Sequence, residues 1–385
     1  MEIHRPATPA CRIDRHLDPC LSCPDNSGGW AISNIVIRQW HRRLALVIGV
    51  LLVFQGLTGA VAQYRFWLMQ ATDPTTYSAP VRGSPASPEA VLDAVNAQLP
   101  GFHAMHFMYP ATNSPGTAVI VMGGRSPSGR DMSRMVTVDQ YQGRVIHEGP
   151  SSAGWIGLAT TLHTASVFGT PGRIYLTLLG LGTFTLSIMG LTLWWRTRRM
   201  DGRARGVARI HRTAGVVVGV LLAMVSATGT TLNLVTWAEK ASKVSVTAAN
   251  RIGGNPADHS AHGPSVISLG QAYEVARGAI GPQRLAAFSP AGPHTRDHWF
   301  SFTDGQLKRT DILVSAKDGS VVGIYPSGTT RGGGGIRQWL FPIHSGYIIG
   351  QTGGAIMTAM GLSLSFWFVS GIIIWQRGRK ARKAA

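Results

Sequence analysis

Four histidines recur in matched surroundings. His41 opens "HRRLALVIGVLLVFQGLTGA" and His211 opens "HRTAGVVVGVLLAMVSATGT". His163 opens "HTASVFGTPGRIYLTLLGLGTFTLSIMGLTLWWR" and His344 opens "HSGYIIGQTGGAIMTAMGLSLSFWFVSGIIIWQR". An imidazole beside an apolar helix can anchor at a membrane interface through its amphipathic ring, bind zinc, or supply an axial nitrogen to iron in a porphyrin. Zinc fits least, because two histidines at each end fill only half a tetrahedral shell. Iron in a macrocycle needs only axial ligands, and two neutral imidazoles fill both positions. No C-x-x-C-H occurs, so a haem held this way is non-covalent and b-type.

The helix face below each histidine points the same way. Ala45, Gly49, Leu52, Gly56 and Gly59 follow His41 at helical spacing and fall within roughly 80° of its direction. Gly215, Gly219, Leu222, Ser226 and Gly229 follow His211 at identical offsets. One reading is a groove for a flat macrocycle, bordered by Gly49, Gly56, Gly59, Gly219 and Gly229. The plain alternative is small-xxx-small helix packing. Four histidines matched pairwise favour ligands, since ionisable groups at membrane depth are usually functional.

What must position these residues is a set of membrane helices. The 385-residue chain has a formal charge of +18 with only 14% charged residues. Leu44–Tyr64, Ile174–Trp195, Ala214–Leu234 and Ala355–Trp375 each run at least 21 residues without Asp, Glu, Lys, Arg or His. A bilayer core of about 30 Å needs roughly 20 such residues. The basic charge sits at Arg38, Arg42 and Arg43, in "RTRRMDGRARGVARIHR" and in "QRGRKARKAA". These places share one side of a four-span topology, so they read as cytoplasmic flanks and not as a nucleic-acid surface. Both termini are then inside, with His41 and His211 at the inner interface and His163 and His344 at the outer one.

Gly169, Gly180, Gly190, Trp194 and Arg196 match Gly350, Gly361, Gly371, Trp375 and Arg377 at one constant offset. The expected fold is therefore membrane α-helical, four transmembrane helices in an internal parallel duplication, with two outer α+β units. The expected divisions are a tail over 1–37, spans over 38–64, 173–196, 211–235 and 353–376, and outer units over 65–152 and 236–335. Interfacial histidine segments occupy 153–172 and 336–352, a basic loop 197–210 and a basic tail 377–385. "SPEAVLDAVNAQLP" and "SLGQAYEVARGAI" read as helices. "GFHAMHFMYP", "TAVIVMGG", "RMVTVDQYQGRVIHEG", "RLAAFSP", "DHWFSFTDG" and "TDILVSAKDGSVVGIYP" read as strands and turns.

Other polar clusters take plainer readings. Cys11, Cys20 and Cys23, with His16 nearby, make a metal site conceivable, but the fourth ligand is unclear; an unfolded tail, or a start codon placed too early, is the expectation. The tail lacks the apolar run of a signal peptide, so the first span is expected to act as an uncleaved signal. His103, Met105, His106 and Met108 offer soft ligands, yet a strand sends them to opposite faces, which favours ordinary packing. Asp258, His259 and His262, and the pair His294 and His298, read as solvated loop residues. Arg125, Arg130 and Arg134 can steer an anion or simply solvate a turn.

"WHRRLALVIGVLLVFQGLTGA", an outer unit with "VDQYQGRV", then "LHTASVFGTPGRIYLTLLGLGTFTLSIMGLTLWWR", all twice over, resembles the PepSY-associated transmembrane family across nearly the whole chain after about residue 36. The best understood members are inner-membrane dihaem ferric-siderophore reductases, and others have no known activity. The resemblance implies outer units that are PepSY-like and periplasmic, and two haem b groups with His41, His211, His163 and His344 as axial ligands. It also implies a ferric siderophore reduced at the periplasmic face. Ser315 stands where the first unit has Asp139, a departure from the repeated pattern. No G-x-G-x-x-G lies in a strand–helix setting, so the electrons are expected from a quinol or a separate cytoplasmic reductase. Two rivals stand beside this reading. One is a membrane-anchored regulator of the peptidase-inhibiting kind. The other is an iron or haem transport component, although spans without charges offer no polar conduction path.

Overall fold

The computed structural model describes residues 33–110, 116–125, 131–198, 205–242, 266–291, 297–304, 309–326 and 335–384. Cys11, Cys20, Cys23, Arg130, Asp258, His259, His262 and His294 lie outside the described residues, as does the Arg125 side chain.

Among the described residues, four helices are long and apolar enough to cross a membrane. The first is α1 (Asn34–Gln63), capped by the Ser33 hydroxyl. After a break at Tyr64 it continues as α2 (Arg65–Thr72), followed by the single turn α3 (Pro74–Tyr77). Then come α4 (Pro88–Gln98), strands β1 (His103–Met108), β2 (Val119–Arg125), β3 (Asp131–Val138) and β4 (Val145–Pro150), and α5 (Gly154–His163). A 3-10 turn, Ser166–Phe168, leads into α6 (Gly169–Thr197). The second half runs the same order. It comprises α7 (Val207–Thr213), α8 (Gly215–Ser242), α9 (Leu269–Ile280) and β5 (Arg284–Ser289) to β8 (Val321–Pro326), with β6 (Asp297–Thr303) and β7 (Arg309–Ser315) between. It closes with α10 (Gly335–Ser345), a 3-10 turn at Tyr347–Ile349 and α11 (Gly350–Ala384).

The spans carry their apolar side chains outward. Val47, Val50, Leu178, Val217, Leu362 and Val369 are more than half exposed, which suits a lipid solvent and not water. Hydroxyls inside the spans bond back to their own helices, as Thr185 does to Leu181 O and Thr231 to Ala227 O, so no extra polar partner is needed in hydrocarbon.

The halves interlock. Helix α1 packs on α11, and α6 packs on α8. A Cβ at Gly56 would meet the Gly361 carbonyl oxygen at 2.6 Å, and one at Gly361 would meet that of Gly56 at 2.8 Å. The matching crossing sets Gly180 against Thr230 and Ser226. Small residues let the backbones touch, the packing device of membrane helices.

The two α+β units are joined in one eight-stranded antiparallel sheet, ordered β4-β3-β2-β1-β5-β6-β7-β8. The seam is β1–β5, where Phe107 pairs with Phe288 and Met108 with Ala287. The Phe107 and Phe288 rings stack at 4.3 Å and 9°. Helices α4 and α9 cover one face with Val91, Val95, Leu269, Ala272 and Ala276 against Val121, Val136, Phe300 and Ile312. Both helices start at a serine cap. Ser87 precedes Pro88 in α4, and Ser268 forms a capping box with Gln271 in α9. On the other face Ile120 and Met135 pack on Met69 of α2 and Ile156 of α5. The sheet therefore sits at the helix ends where α5 brings His163.

Two expectations change. His298 is not a loop residue: it lies in β6, 4% exposed, with Nδ1 accepting from Ala291 N and Nε2 donating to Ile267 O. The third span does not start at 211, because the helix breaks around Ala214 and His211 belongs to the short α7.

Candidate functional site

Each of the four histidine rings lies against a glycine of the other long helix in its own half. A Cβ at Gly59 would stand 2.7 Å from His163 Cε1, and one at Gly229 would stand 2.7 Å from His344 Cε1. A Cβ at Gly190 would stand 3.1 Å from His41 Cε1, and one at Gly371 3.7 Å from His211 Cε1. Ordinary carbon contacts are about 3.5–4.0 Å. At three of the four places, then, only glycine leaves room for the ring where it lies.

The hydrogen bonds of all four rings fall on Nδ1. His41 Nδ1 is 3.1 Å from Leu186 O, His163 Nδ1 3.1 Å from Gln55 O, and His344 Nδ1 3.0 Å from Val225 O. Each acceptor lies four residues before the glycine that cradles the ring. Thr228 Oγ1 also approaches His344 Nδ1 at 3.3 Å. A carbonyl can only accept, so in the His41 and His344 rings Nδ1 carries the proton and Nε2 keeps its lone pair, whereas at His163 the Gln55 amide nitrogen also stands 3.2 Å from Nδ1. The fourth ring, His211, reaches Ser370 Oγ at 2.7 Å instead.

Further bonds fix the segments that carry the rings. The Gln55 side-chain nitrogen donates to His163 O at 2.6 Å, tying α5 to α1. Gln63 donates to Ser345 O at 2.9 Å, and Tyr347 donates to Gln63 O at 3.3 Å, tying the end of α10 to α1. Asn233 makes the corresponding clamp in the other half, donating to Arg173 O and Thr177 Oγ1 at 2.8 Å each.

Electrostatics pair the rings across the halves. His163, outside the spans, is pushed down to about 4 by burial and by the nearby charge of His344. His344 is lowered by burial, against the opposing pull of its bond to Val225 O. His211 in α7 is also pushed down to about 4, by burial and then by the charge of His41. Burial favours the neutral form of an imidazole, and the neutral form is the one that binds metal.

The donor set therefore fits a macrocyclic iron. The rings are orientated from behind through Nδ1, and among the described residues no hydrogen bond falls on their Nε2. His163 feels the charge of His344, and His211 that of His41. Among the described residues no cluster of three or more His, Cys, Asp or Glu could hold a bare metal ion.

The glycines expected to border a groove below His41 and His211 meet different neighbours. Gly49 abuts the Phe368 ring, Gly56 abuts the Gly361 backbone and Leu364, and Gly219 faces Leu191 at 3.3 Å. Those three serve helix packing, because a neighbouring helix already fills the space beside them. Gly59 and Gly229 do meet histidine, but it is His163 and His344 that they cradle. Gly190 and Gly371 were legible only as matched positions and turn out to be cradles. Ser370 and the carbonyls of Leu186, Gln55 and Val225 left no sequence signal, since a backbone acceptor has no residue type.

The remaining candidates resolve into packing and turns. His103 and Met105 are exposed on β1 while His106 stacks on Trp299 at 5.4 Å and bonds to Ser289 Oγ at 3.0 Å, and the strand sends Ala104 and Phe107 into the core instead. Arg134 pairs with Glu148. Asp139 closes the β3–β4 turn, its Oδ1 accepting from Tyr141 N at 2.8 Å and Gln142 N at 3.2 Å. Ser315 takes the same place between β7 and β8, accepting from Lys317 N at 3.3 Å. The Asp139/Ser315 departure is thus a change of turn cap.

Comparison with curated proteins finds no match. A family model described as the PepSY-associated TM region matches residues 38–377. This membrane protein belongs to that family.

Proposed function

We propose that the chain is a haem b protein of the bacterial inner membrane that passes electrons outward to reduce a ferric siderophore. The observation carrying this reading is the common orientation of four half-buried imidazoles, each bonded through Nδ1, with Nε2 left to ligate. His41 and His211 would hold one haem and His163 and His344 the other. Haem so ligated supplies one-electron transfer at a potential set by its axial ligands and their second shell. The chain's residues keep the imidazoles neutral, fix each Nδ1 proton on a helix acceptor and exclude water behind the rings.

The basic residues Arg42, Arg43, Arg196, Arg209, Arg212 and Arg377 flank the spans at the His41/His211 end, which on the positive-inside rule supports a cytoplasmic side for that end and both termini. The sheet then lies in the periplasm beside His163 and His344. The repeated element order and the paired cradles support an internal parallel duplication. The substrate is Fe(III) in a hard-oxygen chelate. One electron converts it to Fe(II), which such donors hold less tightly, and the siderophore leaves unchanged. The electron comes from a quinol or a cytoplasmic reductase.

The test is an absorption spectrum of detergent-purified protein, with His41→Ala and His344→Ala. Two low-spin haems are expected in the parent and one in each variant. Dithionite-reduced protein, freed of reductant, should turn over a ferric hydroxamate in the presence of an Fe(II) chelator. A colourless protein refutes the haem assignment and favours a regulator. A reduced protein that leaves the chelate untouched refutes the substrate.

A further inference from the structure

One of the four rings is held differently. In three, Nδ1 bonds a carbonyl four residues before the cradling glycine. For His211 that carbonyl would be Trp367 O, but Ser370 stands between: His211 Nδ1 is 2.7 Å from Ser370 Oγ, which donates to Trp367 O at 3.0 Å. The ring also stands further from its glycine, 3.7 Å from a Cβ at Gly371 against 3.1 Å for His41 on Gly190. Ser370 is 1% exposed. The corresponding position in the first half is Met189, which has no hydroxyl. Trp367 meets the His211 ring edge-on at 5.7 Å and 66°, and Trp367 is itself held by a bond to Ser363 Oγ at 3.0 Å.

We infer that Ser370 is the positioning residue for His211, a hydroxyl relay that fixes this imidazole's proton and makes the His41/His211 centre electronically unlike the His163/His344 centre. The inference rests on the haem reading above. With its own proton committed to Trp367 O, the hydroxyl turns a lone pair to His211, so Nδ1 donates and Nε2 is the ligand atom. A hydroxyl, unlike a carbonyl, can also turn and donate. The orientation of His211 therefore depends on one side chain, whereas a backbone carbonyl holds each of the other three rings. Removing the hydroxyl takes away the one hydrogen-bond partner that His211 Nδ1 has among the described residues. It also lowers the basicity that the second shell confers on the ligand.

The experiment uses the full-length holoprotein with Ser370→Ala and Ser370→Thr, in a spectroelectrochemical titration and in haem transfer to excess apoglobin. The affected haem is identified as the one missing from His41→Ala. In Ser370→Ala that haem's midpoint is expected to move positive and its retention to fall about 10–100-fold. The other haem should keep its values and so report on the fold. Ser370→Thr, which restores a hydroxyl, is expected to return both quantities to those of the parent. An unchanged titration and retention in Ser370→Ala overturns the inference and leaves the two-haem reading intact. A shift of both haems that threonine does not restore marks Ser370 as a packing residue and overturns it as well. A parent protein with no haem sinks the underlying reading instead.

Discussion

Gly59→Ala separates a cradle from a mere helix glycine, because the two possibilities predict opposite signs. In a free helix, alanine in place of glycine stabilises by about 1 kcal/mol. Here the added Cβ would lie 2.7 Å from Cε1 and 3.1 Å from Nδ1 of His163, roughly 1 Å inside normal contact. Helix α1 continues on both sides of the site, so the ring is the part that must retreat. A shift of about 1 Å takes Nδ1 out of reach of Gln55 O, now 3.1 Å away, since hydrogen bonds fail beyond roughly 3.5 Å. The buried N–H is then unpaired, at a cost of about 1–3 kcal/mol, or roughly a fivefold to 150-fold loss in whatever depends on that ring. Thermal unfolding of the detergent-purified protein and retention of the haem proposed at His163 and His344 are the assays. Gly378→Ala is the control, because a Cβ there meets nothing within 4 Å. Gly59→Ala should lose stability and haem while Gly378→Ala keeps both, and Gly229→Ala should reproduce the loss through His344. If Gly59→Ala is as stable as the control and keeps its haem, the cradle argument is wrong.

Three further outcomes are expected. His298 is held below the ordinary histidine value by burial, against the opposing pull of its bond to Ile267 O and of Glu89. The unfolded chain therefore binds a proton near about 6.5 before the folded one does. The stability this contributes is present above about pH 6.5 and is lost as pH falls from there through the folded value. His298→Gln should flatten that slope in a pH series of thermal midpoints. Ala165, at φ 48°, is the one described non-glycine residue with positive φ, and Gly346 occupies the matching place at φ 78°. Ala165→Gly should raise the melting temperature by relieving about 1 kcal/mol of strain, and a drop would show that its methyl packing outweighs that strain. Phe288→Ala should cost about 3–5 kcal/mol and open the β1–β5 seam to hydrogen exchange. Unchanged protection of β1 would mean that the stack does not hold the two units together.

Much of the architecture was legible because it follows from composition and period. Charge-free runs longer than 20 residues cross a bilayer by simple length, and serine–proline or serine–glutamine pairs mark where α4 and α9 begin. The matched glycines told that the halves are alike. They did not tell which glycine faces a ring and which a neighbouring helix. On α1, Gly49, Gly56 and Gly59 all point near the direction of His41, and helical geometry alone ranks them together. The separation comes from α11, whose Phe368 and Gly361 occupy the first two positions and leave Gly59 to the segment carrying His163. That α1 packs on α11, and so on the other half, is a fact about tertiary packing that no local pattern states. The joining of two four-stranded units into one sheet is of the same kind, since Phe107 and Phe288 read as core residues whatever they face. His298 misled because its neighbours are turn residues, while its own alternation with Trp299 and Phe300 belongs to a buried strand.

The cradles also explain why the histidines recur with glycines and with so little else. Three of the four rings are held from behind by a main-chain carbonyl, which any residue at that position supplies. The side chains of Leu186 and Val225 are thus free to vary without disturbing the bond, whereas Gln55 also holds the His163 segment through its own amide. The cradling position lacks that freedom, since a single methyl group displaces the ring at Gly59, Gly190 or Gly229. The same logic isolates Ser370: where the acceptor is a side chain, its replacement can retune one centre while the carbonyl-held rings stay fixed. On the proposed reading, a chain built this way can make two such centres unequal by one substitution, and at His211 it has a residue in place that can do so.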